Sequence, residues 1–244
     1  MAAVDEVALV VISKAPLPGR CKTRLCPPCE PAEAARLGEA ALRDTLAAVA
    51  HTPARRRLLA LDGEPGAWLR PGFDLHAQRG GDLGERLGHA LGAAGCAAVL
   101  VGMDTPQLTP ALLAAAGRRL LEPGIDAVLG PALDGGYWTI GLRRPDPRVF
   151  EGVPMSTERT GKLQLQRLRA LGLRVAILPT MRDVDTMDDA LCVARDAPGT
   201  RFAGAVRELS AAHAADHEQP VPVARRAARL EVPHRRGRAG QLRE

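Results

Sequence analysis

Positive charge in this chain is written almost entirely as arginine, so its three lysines are informative. Two of them, Lys14 and Lys22, fall in the segment Ser13-Lys14-Ala15-Pro16-Leu17-Pro18-Gly19-Arg20-Cys21-Lys22-Thr23-Arg24-Leu25. A compact ammonium can sit against phosphate oxygens in a way a planar guanidinium cannot copy. The segment follows the apolar run Val7–Ile12 and precedes a helical pattern. That order places it at the carboxyl edge of a sheet, where open α/β folds bind ligands. Lys14, Arg20, Lys22 and Arg24 around Gly19 could turn cations and backbone amides toward one anion. The glycine spacing matches neither a Walker A loop nor the dinucleotide fingerprint. A solvated basic loop is the competing reading, and under either reading Lys22→Ala is expected to leave fold stability nearly unchanged.

Acidic residues recur at other apparent strand ends. After Ala97–Val101 comes Gly102-Met103-Asp104-Thr105-Pro106, and after Val175–Leu178 comes Arg182-Asp183-Val184-Asp185-Thr186. One aspartate before a helix is most simply an Asx turn. Hard oxygen ligands arriving from two strand ends are also what Mg²⁺ or Mn²⁺ on a nucleotide diphosphate requires. Between them lies Gly130-Pro131-Ala132-Leu133-Asp134-Gly135-Gly136-Tyr137-Trp138. Asp-Gly is a hairpin signal, and paired glycines also let a backbone approach a ligand closely. Gly80-Gly81-Asp82-Leu83-Gly84-Glu85-Arg86 reads as a glycine-rich turn into a helix that could line a nucleobase and ribose.

These positions need a scaffold, and the pattern supplies one. Apolar runs at 6–13, 56–61, 73–77, 96–102, 125–130, 136–142 and 173–179 read as strands. Helical patterns at 31–50, 83–94, 109–121, 157–171, 187–196 and 199–213 lie between most of them. Alternation of this kind predicts an α/β fold with a mostly parallel sheet, right-handed crossovers and helices on both faces. Pro31, and Thr109 followed by Pro110, are sound helix starts.

Length and composition set further bounds. A chain of 244 residues with 46% hydrophobic content can bury a full core, and at 2% aromatics that core must be Ala, Leu and Val. No apolar stretch approaches the roughly 20 residues of a membrane span. The start Val4-Asp5-Glu6 lacks the look of a signal peptide, so a cytoplasmic location is expected. Net charge is +5, but residues 218–244 carry +4 of it, leaving a nearly neutral body. We therefore expect a domain over 1–213, an Arg-rich disordered tail over 214–244 and no specific nucleic-acid partner. Cys21, Cys26 and Cys29 have the C-x4-C-x2-C spacing of plant-type iron–sulfur ligation. Because Cys21 is interleaved with the loop cations, small core or loop residues are the better reading. Five cysteines in a chain without an export signal argue for free thiols.

Taken in order, several segments resemble the bacterial DUF2064 family. They are Lys14-Ala15-Pro16, Pro18-Gly19-Arg20, Lys22-Thr23-Arg24-Leu25, Gly81–Arg86, Gly102–Pro106, Gly130–Ala132, Asp134–Tyr137, Ser156-Thr157 and Asp183–Thr186. The resemblance covers residues 6 to about 195. It implies a GT-A, Rossmann-like sheet of the nucleotide-diphospho-sugar transferase type and glycosyltransferase-like activity with a divalent cation. On that basis Lys14, Gly19, Arg20, Lys22 and Arg24 would bind the diphosphate, with Lys22 and Arg24 also catalytic. Asp82 and Arg86 would border the nucleoside, and Asp104 and Asp185 would hold the metal. Asp134 would position or deprotonate the acceptor in a pocket with Gly135, Gly136, Tyr137, Ser156, Thr157 and Asp183. The chain departs from the family's pattern at Met103 and at Cys26-Pro27-Pro28-Cys29. Guanylyltransferases acting on phospholactate or phosphoenolpyruvate share the Lys-Thr-Arg-Leu and Asp-Val-Asp-Thr segments. Nucleotidyl transfer with release of pyrophosphate is therefore the alternative, and a catalytically silent nucleotide-binding protein is a third reading.

Overall fold

The computed structural model describes residues 6–218. Seven strands and six helices alternate: β1 (Ala8–Lys14), α1 (Pro31–Ala50), β2 (Arg57–Asp62), β3 (Asp74–Ala77), α2 (Leu83–Gly92), β4 (Ala98–Gly102), α3 (Pro110–Leu121), β5 (Ala127–Pro131), β6 (Tyr137–Leu142), α4 (Thr160–Ala170), β7 (Val175–Ile177), α5 (Met187–Asp196) and α6 (Arg201–Glu218). The sheet order is β3-β2-β1-β4-β6-β5-β7. All neighbours are parallel except β6, which runs against both β4 and β5.

β1 is apolar on both faces because the sheet is sandwiched between helices. Leu9 and Val11 join Leu42, Leu46, Leu113 and Leu120 of α1 and α3 in one core layer. Ala8 and Val10 join Leu87, Leu91 and Leu168 of α2 and α4 in the other. A third cluster, containing Leu37, Ala41, Val193, Phe202 and Val206, seals the back of α1 against α5 and α6. Helix α1 is therefore buried on two sides.

The chain moves outward from β1 through β2 and β3, then returns to place β4 on the other side of β1. That reversal leaves a crevice at the carboxyl ends of β1 and β4, the switch point at which doubly wound sheets bind ligands. Because β6 is antiparallel, its beginning rather than its end faces the same edge. The β5–β6 turn and the start of Tyr137–Leu142 thus join the crevice.

Two expected bounds shift by three residues or more. Helix α4 starts at Thr160 rather than at 157, because Ser156 is left-handed (φ 58°) and the Thr157 N–H donates to the Thr160 hydroxyl at 3.0 Å. Helix α6 extends to Glu218, past the expected end at 213. The expected Arg-rich tail, apart from those last helical residues, lies outside the described residues. No helix among the described residues is long and apolar enough to cross a membrane. The five cysteines are free thiols, and Cys21 and Cys29 are buried as core residues.

Candidate functional site

A cavity of about 880 Å³ opens at the switch point. The first-strand loop lines it with Lys14, Arg20, Lys22 and Arg24, α2 with Arg86, and the end of β4 with Asp104. The β5–β6 turn adds Asp134, Gly136 and Tyr137, the entry to α4 adds Ser156 and Thr157, and the segment after β7 adds Asp183 and Asp185. Three predicted residues fall outside this lining. Gly19 and Gly135 shape their turns at φ 73° and 88° without facing the cavity. Asp82 caps α2, its carboxylate accepting the Glu85 N–H at 2.8 Å, and it lines a second cavity of about 1210 Å³ alongside α2. Arg86, whose Nε donates to the Asp82 carbonyl at 3.1 Å, borders both cavities.

Lys22 is the largest departure from expectation. Its side chain is only 6% exposed, and its ammonium pairs with the Asp104 carboxylate and donates to the Val184 carbonyl. The residue itself is left-handed, φ 54° and ψ 36°, opening the short 3-10 turn Thr23–Leu25. Left-handed backbone is uncommon for a non-glycine residue and persists only where its surroundings over-determine it. The surroundings here are tight: a Cβ on Gly38 of α1 would come within 2.6 Å of the Cys21 sulfur and 3.5 Å of Lys22 Cγ. The premise that this lysine is a free loop residue is therefore overturned, because Lys22 ties three segments together, and its removal is expected to cost stability.

The same stitch orders the carboxylates. The Val184 N–H donates to the Asp104 carbonyl at 2.9 Å, which sets the Asp-Val-Asp segment beside the end of β4. Asp185 turns outward to Arg24 at 2.7 Å. Asp183 turns inward, accepting from the Thr105 hydroxyl at 3.3 Å. Burial, then the charges of Asp104 and Asp134, push its carboxyl up to about 7, against a partial offset from Lys22. Asp104, Asp134 and Asp183 thus lie near enough for the charges of the first two to act on the third, with Lys22 as the offsetting cation. Burial likewise raises the Tyr137 phenol, which donates to the side-chain amide oxygen (Oε1) of Gln164 at 3.3 Å.

The opposite wall is set by glycine fit. A Cβ on Gly135 would meet the Glu158 carbonyl oxygen at 2.0 Å, and one on Gly161 would meet the Gly136 carbonyl oxygen at 2.4 Å. The Gly161 N–H donates to the Gly135 carbonyl at 2.8 Å. The Asp134 carboxylate accepts the Gly136 N–H at 2.8 Å, an Asx turn that fixes the side chain over its own loop.

Sequence reasoning missed Gln78, Glu158 and Thr160, which also line the cavity. Gln78 follows the end of β3, the same strand-end signal that pointed to Asp104. Its amide nitrogen donates to the Ser13 and Ala60 carbonyls at 2.8 and 3.1 Å, bridging β1 and β2. No such signal marks Glu158. Met103, the family departure, is buried and accepts the Ser13 hydroxyl at 3.0 Å.

Metal binding can be tested against this donor set. Among the described residues no three His, Cys, Asp or Glu side chains are gathered as an ion cage. Magnesium, however, is commonly held by one or two carboxylates plus substrate phosphates rather than by an all-protein cage. Asp104 and Asp183, two carboxylates lining the same cavity, fit that arrangement.

Comparison with known proteins agrees with the motifs. Residues 38–157 match a family described as an uncharacterized protein conserved in bacteria (DUF2064). Among solved structures, a protein described as a "putative nucleotide-diphospho-sugar transferase" from Desulfovibrio desulfuricans G20 is 31% identical. The match covers 85% of this chain and 96% of that one, with a TM-score of 0.77. More distant similarities include a 2-C-methyl-D-erythritol 4-phosphate cytidylyltransferase from Thermus thermophilus (19% identity, 71% and 88% coverage, TM-score 0.45). Another is a Mycobacterium tuberculosis H37Rv protein in complex with manganese (24%, 77% and 97%, 0.41). No curated protein matches. With the family's segment present and the Desulfovibrio protein matched over nearly its whole length, the chain belongs to the DUF2064 family.

Proposed function

We propose that the chain is a metal-dependent transferase that uses a nucleotide-activated donor, of which a nucleotide-diphospho-sugar is the best fit. The observation that carries this reading is one cavity at the switch point, with cations from the first-strand loop facing carboxylates from β4 and from the segment after β7. The description of the Desulfovibrio relative supports the same class. Lys14 and Arg20, exposed at the rim, would meet the diphosphate directly. Arg24 would add charge on release from Asp185. Lys22 would act mainly by holding Asp104 and the Asp-Val-Asp segment in place. Arg86 and Gln78 would border the nucleoside, and Asp134 would orient the acceptor and take its proton.

Asp104 and Asp183, with Asp185 beside them, would hold Mg²⁺ or Mn²⁺ against the donor phosphates. The bound ion would supply charge neutralisation of the leaving diphosphate. The residues' own contribution is preorganisation: fixed cations and carboxylates need no rearrangement as charge develops on the leaving group.

The test has two stages. Thermal shifts with UDP or GDP, with Mn²⁺, and with both should be synergistic, because an ion offsets repulsion between phosphates and carboxylates. Additive shifts count against a shared site. Product analysis with donor and candidate acceptors should then show nucleoside diphosphate. Pyrophosphate released from a nucleoside triphosphate assigns nucleotidyl transfer instead.

A further inference from the structure

The cavity is electrically two-sided. Every cation lining it belongs to the first-strand loop or to α2, whereas the stretch from Asp134 to Thr160 contributes Asp134, Glu158 and several hydroxyls but no cation. Asp134 uses one carboxylate oxygen on the Gly136 N–H. Glu158 is exposed and has no hydrogen-bond or ion-pair partner among the described residues.

Building on the transferase reading, we propose that this wall receives the group carried beyond the donor's diphosphate, and that this group is a hydroxyl-bearing sugar without carboxylate or phosphate. Ionised carboxylates only accept hydrogen bonds, so they reward a partner that can donate. Sugar hydroxyls donate; an anionic substituent offers only acceptors and adds like charge.

The backbone of this wall has little room to shift, because Gly135 and Gly161 leave no gap between the β5–β6 turn and the entry to α4. The cations lie on the other side of the cavity, in the first-strand loop and α2, where the transferase reading commits them to the diphosphate, and Lys22 and Arg24 are already paired with Asp104 and Asp185. The arrangement therefore argues against an acceptor that presents a phosphate or carboxylate at this wall, the chemistry of phosphoenolpyruvate.

The experiment is equilibrium binding to the full chain with Mn²⁺, using UDP, UDP-glucose and UDP-glucuronate, together with GDP and GDP-mannose. UDP or GDP alone tests the nucleotide site, since neither reaches the wall. UDP-glucose is expected to bind at least tenfold more tightly than UDP-glucuronate, and Glu158→Gln should narrow that gap while leaving UDP affinity unchanged. Equal binding of the two sugar nucleotides, a gap that Glu158→Gln leaves intact, or pyrophosphate release from GTP with phosphoenolpyruvate each overturns the inference. Failure of UDP and GDP to bind at all removes the transferase reading and the inference with it.

Discussion

The two walls of the cavity are held by different physics. On one side the 13–25 loop is fixed by charge, through Lys22 to Asp104 and Arg24 to Asp185, the second of these reaching 161 residues along the chain. On the other, the β5–β6 turn and the entry to α4 are fixed by fit, with glycines at contacts too close for any Cβ. A charge-held wall can respond to an arriving anion or cation, since its pairs can exchange partners. A fit-held wall cannot, and so it supplies the fixed shape against which a substrate is measured.

The sharpest way to break this contrast is Gly135→Ala. A methyl at φ 88° costs about 1–2 kcal/mol in backbone strain. The overlap with the Glu158 carbonyl adds on the order of 1–3 kcal/mol. Thermal unfolding should show a drop of several degrees, and a variant as stable as the parent would show that the wall yields. Next comes Lys22→Met, which strands Asp104 and the Val184 carbonyl. Removing one partner of a fully buried pair costs about 3–5 kcal/mol, and the half-exposed Asp104 should bring the loss down to about 2–3 kcal/mol. Lys14→Met, at an exposed position of the same loop, should change stability by no more than about 0.5 kcal/mol. Urea unfolding of the two variants separates the strut from the free cation; equal losses would mean the burial of Lys22 is immaterial.

Arg24→Ala should be milder, about 0.2–1 kcal/mol, because both members of that pair keep contact with water, and the loss should fade as salt rises. The smallest effect concerns thiols. Burial raises the Cys21 thiol, with Lys22 and Lys14 pulling the other way, and pushes Cys29 up to about 11. Only the thiolate is alkylated, so both should resist iodoacetamide at pH 8, and Cys29 should gain reactivity as pH rises toward 11. Lys22→Met should make Cys21 label faster if the loop opens, as mass spectrometry of labelled peptides can report. Unchanged labelling would mean that α1 packing alone holds it.

Much of this architecture is legible in the sequence. The seven strands follow from apolar runs, and α1 is legible to the residue because Pro31 marks its first turn. The strand-end logic for Asp104 and the Asp-Val-Asp segment holds because a parallel sheet gathers carboxyl ends on one edge. Two things are not encoded in local pattern. Periodicity carries no pairing direction, so the Asp-Gly signal announces the β5–β6 hairpin but not that β6 inserts beside β4. Nor can a loop lysine announce its own burial, which depends on partners at Asp104 and Val184. Asp82 reads as a ligand-facing residue for the same reason any helix cap does: the two roles use the same side chain at the same position.

The reversed strand β6 has a consequence for how this scaffold can diversify. In a wholly parallel sheet each loop at the binding edge leads into a crossover helix, so altering the loop disturbs a helix seat. Here one wall is a hairpin, residues 132–136, that begins and ends within the sheet. Its composition and length can be exchanged as a cassette while the crossovers around β1 and β4 keep their packing. A new shape for this wall could thus be grafted opposite an unchanged 13–25 loop, provided the graft keeps the glycine contact with Glu158 and Gly161.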